Sequence, residues 1–358
     1  MCKTPYQILV ATRLATTLYK DDISDIVVFD TIANAKVLYE KIKQENTFEQ
    51  VYIYHCKKYE KRKGLKARIF SLLCRPETVG NAQYDYVFLC NVYDWVENAI
   101  IRDLRARTQE SVAMYMYEDG FATYSEYYGA FFSKLQTANL LKKWYYRKLY
   151  SEYYAMNGLY VFSPDLLDWK PHIPVYEIPK INEAETDYKE AVNTIFGYEN
   201  MADSYEENVI FFEESYYADN IDIDDITVVS RIAEIFEKSN LLVKIHPRNP
   251  VNRFKEMGLK TNTNTEIPWE VIALNIQLHK KTLVTIASGS ALTSLVNMAS
   301  VPQKIIMLMN CEEIPDEKLT PTLQNLRKIA SSYPQQVYLP ENLEVMTDYI
   351  LKNYGGVV

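Results

Sequence analysis

Glycine is scarce in this chain, 10 among 358 residues, and no Gly/Ser-rich or Pro-rich tract interrupts it. Low complexity and a repeat of fixed period are also missing, which excludes collagen-like, linker-dominated and solenoid architectures. Cysteine gives no framework: Cys2, Cys56, Cys74, Cys90 and Cys311 are odd in number and scattered, with no CxxC pair. That pattern excludes a disulfide scaffold and reads as free, mostly buried thiols in a reducing compartment. Positive charge is in deficit, with a formal net charge of -8. Nucleic acid, whose binding rests on phosphate neutralisation, is therefore excluded as the main partner. No apolar run is long enough to cross a bilayer and no secretory segment opens the chain. The expected location is cytoplasmic, at most peripheral at the inner face of the cell membrane.

What is present is a globular composition, 48% hydrophobic and 24% charged, in a chain long enough for two domains. Short β-branched apolar runs at 26–30, 51–56, 86–91, 113–117 and 159–163 read as buried strands. Helical spacing separates them at 33–44 and 95–107. A second series of strands follows at 209–212, 241–245, 283–287, 305–309 and 336–339, with helices at 226–238, 291–299 and 322–332. Alternating strands and helices imply βαβ units and parallel sheets. The expectation is an α/β protein with one doubly wound domain over 1–180, a connection over 181–206 and a second domain over 207–358. Before the loop Thr4-Pro5 and the first helix, at 6–19, a doubly wound domain has a strand; here only Met1, Cys2 and Lys3 precede that loop.

Ligands of doubly wound sheets bind outside the carboxyl ends of the strands. Three groups of residues stand there. Glu118-Asp119-Gly120 follows the strand 113–117 and puts carboxylates on a sharp turn, where neighbouring acids raise one another's pKa as a general base requires; the alternative is an ordinary acidic turn. Lys244-Ile245-His246-Pro247 closes the strand 241–245. His246 titrates near neutral pH, Pro247 fixes the backbone beside it, and Lys244 and Arg248 add positive charge; the alternative is an exposed loop histidine. Ser288-Gly289-Ser290 joins a strand to a helix, where hydroxyls and free amides hold phosphate; the alternative is simple capping by Ser290. A base, an acid and a phosphate cradle thus share one placement.

These motifs, together with Thr4-Pro5-Tyr6-Gln7, resemble the bacterial sialyltransferases of glycosyltransferase family 52, the lipooligosaccharide group. The acidic-acidic-Gly and His-Pro motifs recur in related bacterial sialyltransferase and polysialyltransferase families. The resemblance implies a GT-B fold, two Rossmann-like domains facing across a cleft, with the acceptor on the first and the nucleotide sugar on the second. It implies an inverting, metal-independent transfer from CMP-sialic acid to a galactose-type hydroxyl of a bacterial surface glycan, lipooligosaccharide or capsule. By the same resemblance Asp119 is the base and His246 the acid or hydrogen-bond donor to the CMP phosphate. Lys244, Pro247, Ser288, Gly289 and Ser290 hold the donor, and Thr4, Pro5, Gln7, Glu118 and Gly120 line the acceptor side. The acidic loop 213–219 supplies a rival base, Asp219.

No cofactor or metal is expected. A monophosphate leaving group is within reach of an imidazole and a helix N-terminus, and Asp222-Ile223-Asp224 stands where acids suit a helix dipole. Two other readings stand beside this one: the same fold with another nucleotide-sugar donor, and a non-catalytic glycan- or nucleotide-binding scaffold. The chain has 30 tyrosines, many of them between Tyr115 and Tyr154, and such a cluster suits a sugar cleft or a membrane surface. From Phe131 to Tyr154, aromatic residues such as Trp144, Tyr145 and Tyr146 are mixed with Lys142, Lys143, Arg147 and Lys148. Such a stretch suits peripheral contact with an anionic membrane carrying a lipid-linked acceptor. A helix pair over the first domain or a homodimer contact would use the same residues.

Overall fold

Among the described residues of the first half of the chain, every strand runs parallel to its neighbour. The computed structural model describes residues 1–57, 79–80, 83–90, 95–108, 112–125, 129, 139–141, 156–201, 203–311 and 320–354. They divide into two compact units, Met1–Pro179 with Thr186–Phe196, and Lys180–Glu185 with Gly197–Val358.

The first unit holds β1 (Ile26–Phe29), β2 (Val51–Tyr54), β3 (Tyr86–Leu89), β4 (Ala113–Tyr117), β5 (Met156–Val161) and β6 (Val175–Glu177). β1 pairs with β2, and β3 to β6 form a four-stranded parallel sheet. Met1–Lys3 stand where the strand before the Thr4-Pro5 loop is expected. The Cys2 amide donates to the Val27 carbonyl at 2.8 Å and the Phe29 amide to the Cys2 carbonyl at 2.9 Å. On the other side the Met1 amino group donates to the Phe88 carbonyl at 3.0 Å. The order across the unit is β2, β1, the Met1–Lys3 stub, β3, β4, β5, β6, which follows the doubly wound pattern with its switch point between the stub and β3.

The second unit holds β7 (Val209–Phe212), β8 (Leu241–Lys244), β9 (Lys260–Thr261), β10 (Thr282–Thr285), β11 (Lys304–Met307) and β12 (Val337–Tyr338). They form one parallel sheet in the order β12-β11-β10-β7-β8-β9. β7 starts the unit, the chain walks outward to β9, then returns to the other side of β7 for β10, so the switch point lies between β7 and β10. β7 and β10 are buried at all four positions each, as strands covered on both faces must be. Phe211, Val229, Ile232, Val243, Val284 and Ile306 belong to the core on one face.

The α/β expectation is met by these parallel sheets, and most elements lie within a few residues of their expected places. The helix Trp95–Arg107 and the strands β4 and β7 have the expected bounds. The residues expected as a connection, 181–206, instead carry a helix, Thr186–Phe196, that packs in the first unit. Its buried Tyr188, Ala191, Val192, Ile195 and Phe196 follow the i, i+3, i+4, i+7 spacing of an amphipathic helix. That signal was legible and was masked by the surrounding acids. β6 and β9 span three and two residues, too few for a period to declare itself.

Of the cysteines, Cys2, Cys56 and Cys90 are buried free thiols and Cys311 is half-buried; Cys74 lies outside the described residues. All of 131–154 except 139–141 also lies outside them, so the membrane-surface and dimer expectations have no structural counterpart here. Among the described residues no helix is long and apolar enough to cross a membrane.

Candidate active site

In the first unit the residues around Asp119 are built from three strand ends. Thr4 caps the helix Pro5–Thr16: its hydroxyl accepts from the Gln7 amide at 3.2 Å, and Pro5 starts the helix with the φ it already has. The cap fixes Gln7, which is buried. Its Oε1 accepts from the Lys3 amide at 2.6 Å, so its Nε2 must face the other way, and that group donates to Asp119 Oδ1. The Asp119 amide donates to the Thr123 hydroxyl at 2.8 Å. Oδ2 of Asp119 has no partner among the described residues. Burial raises the Asp119 carboxyl above the usual aspartate range, against the lowering pull of Gln7 and of the Lys3 ammonium.

The expectation that Glu118 and Asp119 raise one another's pKa gives way to a different cause. Glu118 turns into the core. Tyr6 and Tyr124 donate to its two oxygens and the Phe162 amide adds a third bond at 3.0 Å. It is a structural carboxylate, 0% exposed, and it fixes the turn from which Asp119 projects. Glu118→Ala is expected to lower unfolding free energy by about 3–5 kcal/mol, because three donors lose their acceptor; urea titration measures it. Gly120 follows at φ 74 and ψ -162, a region open essentially to glycine alone. An added Cβ would meet nothing nearer than the Tyr6 ring at 3.8 Å, so conformation and not crowding demands glycine.

In the second unit the expected residues stand at the carboxyl ends of β7, β8 and β10, three neighbouring strands. His246 follows β8. Its Nδ1 accepts from the Arg248 amide at 3.2 Å, so the neutral ring carries its proton on Nε2, which has no partner among the described residues. Burial, then the charges of Arg248 and Lys244, push the imidazole down to about 4, against the raising pull of Asp219. The ring is therefore neutral at pH 7 and a hydrogen-bond donor through Nε2. Lys244 is pushed down to about 8 by burial, with buried Glu270 as its opposing charge. Pro247 and Arg248 are exposed.

Ser288, and not Ser290, caps the helix Gly289–Val296; its hydroxyl accepts from the Ser290 amide at 3.3 Å. Ser288 keeps its own hydroxyl proton for a ligand, and Ser290 is exposed. Asp219 is tied on both oxygens, by Arg248 at 3.0 Å and by Ser215 at 2.7 Å. Asp224 caps the helix Asp225–Ile235 through the Thr227 amide at 3.0 Å. Among the described residues no group of three or more His, Cys, Asp or Glu gathers as metal ligands would.

The sequence reading did not assign roles to Glu213 or Arg253. Glu213 Oε2 accepts from the His246 amide at 2.9 Å, and its Oε1 from Arg253 at 2.9 Å. Arg253 also pairs with Asp225. This buried bridge holds the His246 backbone against the end of β7. A pair of acids directly after a buried strand was the available signal. A cavity of about 560 Å³ lined by Asn208, His279, Lys280, Thr282 and Gln303 opens at the opposite, amino ends of β7 and β10.

A family model described as Alpha-2,8-polysialyltransferase (POLYST) matches residues 1–309. No curated protein matches. Among solved structures, one titled "Crystal Structure Analysis of the Glycotransferase of kitacinnamycin" aligns at a TM-score of 0.46 and 8% identity, covering 96% of this chain and 86% of that one.

Proposed function

Because this chain belongs to the alpha-2,8-polysialyltransferase family and is a glycosyltransferase of the sialyltransferase type, we propose that it transfers sialic acid from CMP-sialic acid with inversion and without a metal ion. Asp119 Oδ2 takes the proton of the acceptor hydroxyl. The freed oxygen bonds to C2 of the donor sugar as the bond from C2 to the phosphate oxygen breaks, and the electron pair leaves with CMP. His246 Nε2–H and the Ser288 loop hydrogen-bond the departing phosphate. One base and one displacement give inversion.

The observation that carries the reading is the meeting, at the carboxyl ends of three adjacent strands, of a neutral imidazole donor and a capped helix N-terminus. Two interstrand spacings, about 10 Å, separate the ends of β8 and β10, and one phosphate with its nucleoside suits such a gap. The raised pKa of Asp119, with its Oδ2 unpartnered among the described residues, supports the base assignment. Asp219, with both oxygens engaged, is the weaker base. The family description favours a hydroxyl of a terminal sialic acid as acceptor over the galactose-type hydroxyl implied by the family 52 resemblance. A surface glycan made on the cytoplasmic side is the matching product class.

The test is release of CMP from CMP-sialic acid with EDTA present, using lactose and sialyllactose as competing acceptors. Turnover with sialyllactose is expected. A thermal-shift series with CMP, UDP and GDP should show the largest rise with CMP. A larger rise with UDP or GDP would move the reading to another donor, and loss of turnover on adding EDTA would overturn metal independence.

A further inference from the structure

Glu214 stands at the switch point of the second sheet, directly after β7 and beside the loop that follows β10. It is 7% exposed. Its Oε1 accepts from the Thr285 hydroxyl and, at 2.7 Å, from the Ala287 amide. Thr285 in turn accepts from the Ser288 amide at 2.8 Å. The carboxyl therefore braces the whole turn 285–288 that leads into the helix Gly289–Val296. Its second oxygen, Oε2, is buried with no hydrogen-bond partner among the described residues. Among the described residues no ion pair reaches it: Arg253 is taken by Glu213 and Asp225, and Arg248 by Asp219 and Ser215.

A buried carboxylate directly behind an anion cradle is a contradiction in charge. An anion at the Ser288 loop and an ionised Glu214 would repel one another in a medium that screens them poorly. A proton on Oε2 removes the conflict and leaves Oε1 free to keep both of its bonds. We infer that Glu214 is a positioning residue of the anion site, and that an anion seated at the Ser288 loop binds together with a proton on Glu214. This rests on the reading of that loop as the phosphate site.

The surroundings agree. Burial is the largest influence on Glu214 and pushes it up to about 7, against the lowering effect of the Thr285 and Ala287 bonds, while Asp225 raises it further. The other ionisable groups packed near it are Tyr216, itself pushed up by burial and by Glu214, Glu213, and Lys244 on β8, whose opposing charge is Glu270. The sign follows from the ordinary linkage of proton and ligand. Below about pH 7 the site is already protonated and anion affinity is flat; above it affinity falls by up to tenfold per pH unit.

The test uses two probes without a proton of their own near neutrality, sulfate and the methyl ester of CMP; CMP itself titrates at about 6 and would confuse the result. Each is titrated calorimetrically at pH 6 to 8.5 in buffers of different ionisation heat, which counts protons taken up. The expected result is fractional proton uptake above pH 7 and falling affinity. Glu214→Gln, which copies the protonated form, is expected to show neither, and to bind at pH 8 as the wild type does at pH 6. His246→Ala should retain the uptake, because the proton is not on the imidazole. Binding without pH dependence in the wild type, uptake that survives in Glu214→Gln or vanishes in His246→Ala, or no binding of either probe overturns the inference. Coupled binding of sulfate with no binding of the CMP ester would uphold it and sink the nucleotide reading instead.

Discussion

Asp119→Asn is expected to lower kcat by about 10²–10⁴-fold, the range a positioned general base contributes. The melting temperature should stay near that of the wild type, because Asn keeps an oxygen for the Gln7 amide. The pH profile gives the second readout. The base works only when ionised, so kcat/KM falls as pH drops through the carboxyl's own pKa. Burial holds that limb above the usual aspartate value of about 3.9. Gln7→Leu removes a bond that lowers it and should move the limb to higher pH while leaving Asp119 in place. Near-normal turnover in Asp119→Asn, with loss in Asp219→Asn, would transfer the role to Asp219.

His246→Ala is expected to lower kcat by about 10²–10³-fold, as the loss of one preorganised donor to developing charge does, and to weaken CMP binding, because the same N–H faces the product phosphate. Two details separate a neutral donor from a protonated acid. The imidazole, pushed down to about 4, is neutral throughout the working range, so no loss of kcat/KM should appear as pH rises through 6.5. His246→Gln, which retains an N–H, should recover part of the activity that His246→Ala loses. A basic limb near 6.5, absent in His246→Gln, would show instead that the imidazolium form is required. Glu213→Gln should act through His246: it keeps the side-chain acceptor for the His246 amide and weakens only the pairing with Arg253, so its effect on kcat should be far smaller than that of His246→Ala.

Much of this site was legible in the chain because strand ends announce themselves. Runs such as 113–117 and 209–212 are short, apolar and β-branched or aromatic, and a doubly wound sheet places whatever follows them at its ligand-binding edge. Glu118-Asp119-Gly120, His246-Pro247 and Ser288-Gly289-Ser290 were found that way. The family match over residues 1–309 is to the alpha-2,8-polysialyltransferase model, where the motifs had suggested the lipooligosaccharide group first.

What the chain could not disclose is which way each of these side chains turns. Glu118 and Asp119 are adjacent and chemically alike, yet one is sealed by two tyrosines and an amide and the other keeps a free oxygen. Ser288 and Ser290 are two residues apart, and only the helix start decides that Ser288 is the cap. Glu214 is one acid in a loop of acids until β7 and β10 are known to be neighbours, a pairing between strands some seventy residues apart in sequence. The sequence by itself determined the alternation of strands and helices, the parallel sheets and the three motifs at strand ends, because apolar periodicity and local turn chemistry are short-range properties. Only the tertiary structure decided the stub Met1–Lys3 as a strand substitute, the helix Thr186–Phe196 as part of the first unit, and the direction in which burial shifts Asp119, Glu214 and His246. Those depend on burial and on partners distant in sequence, and desolvation of a charge cannot be read from its neighbours along the chain.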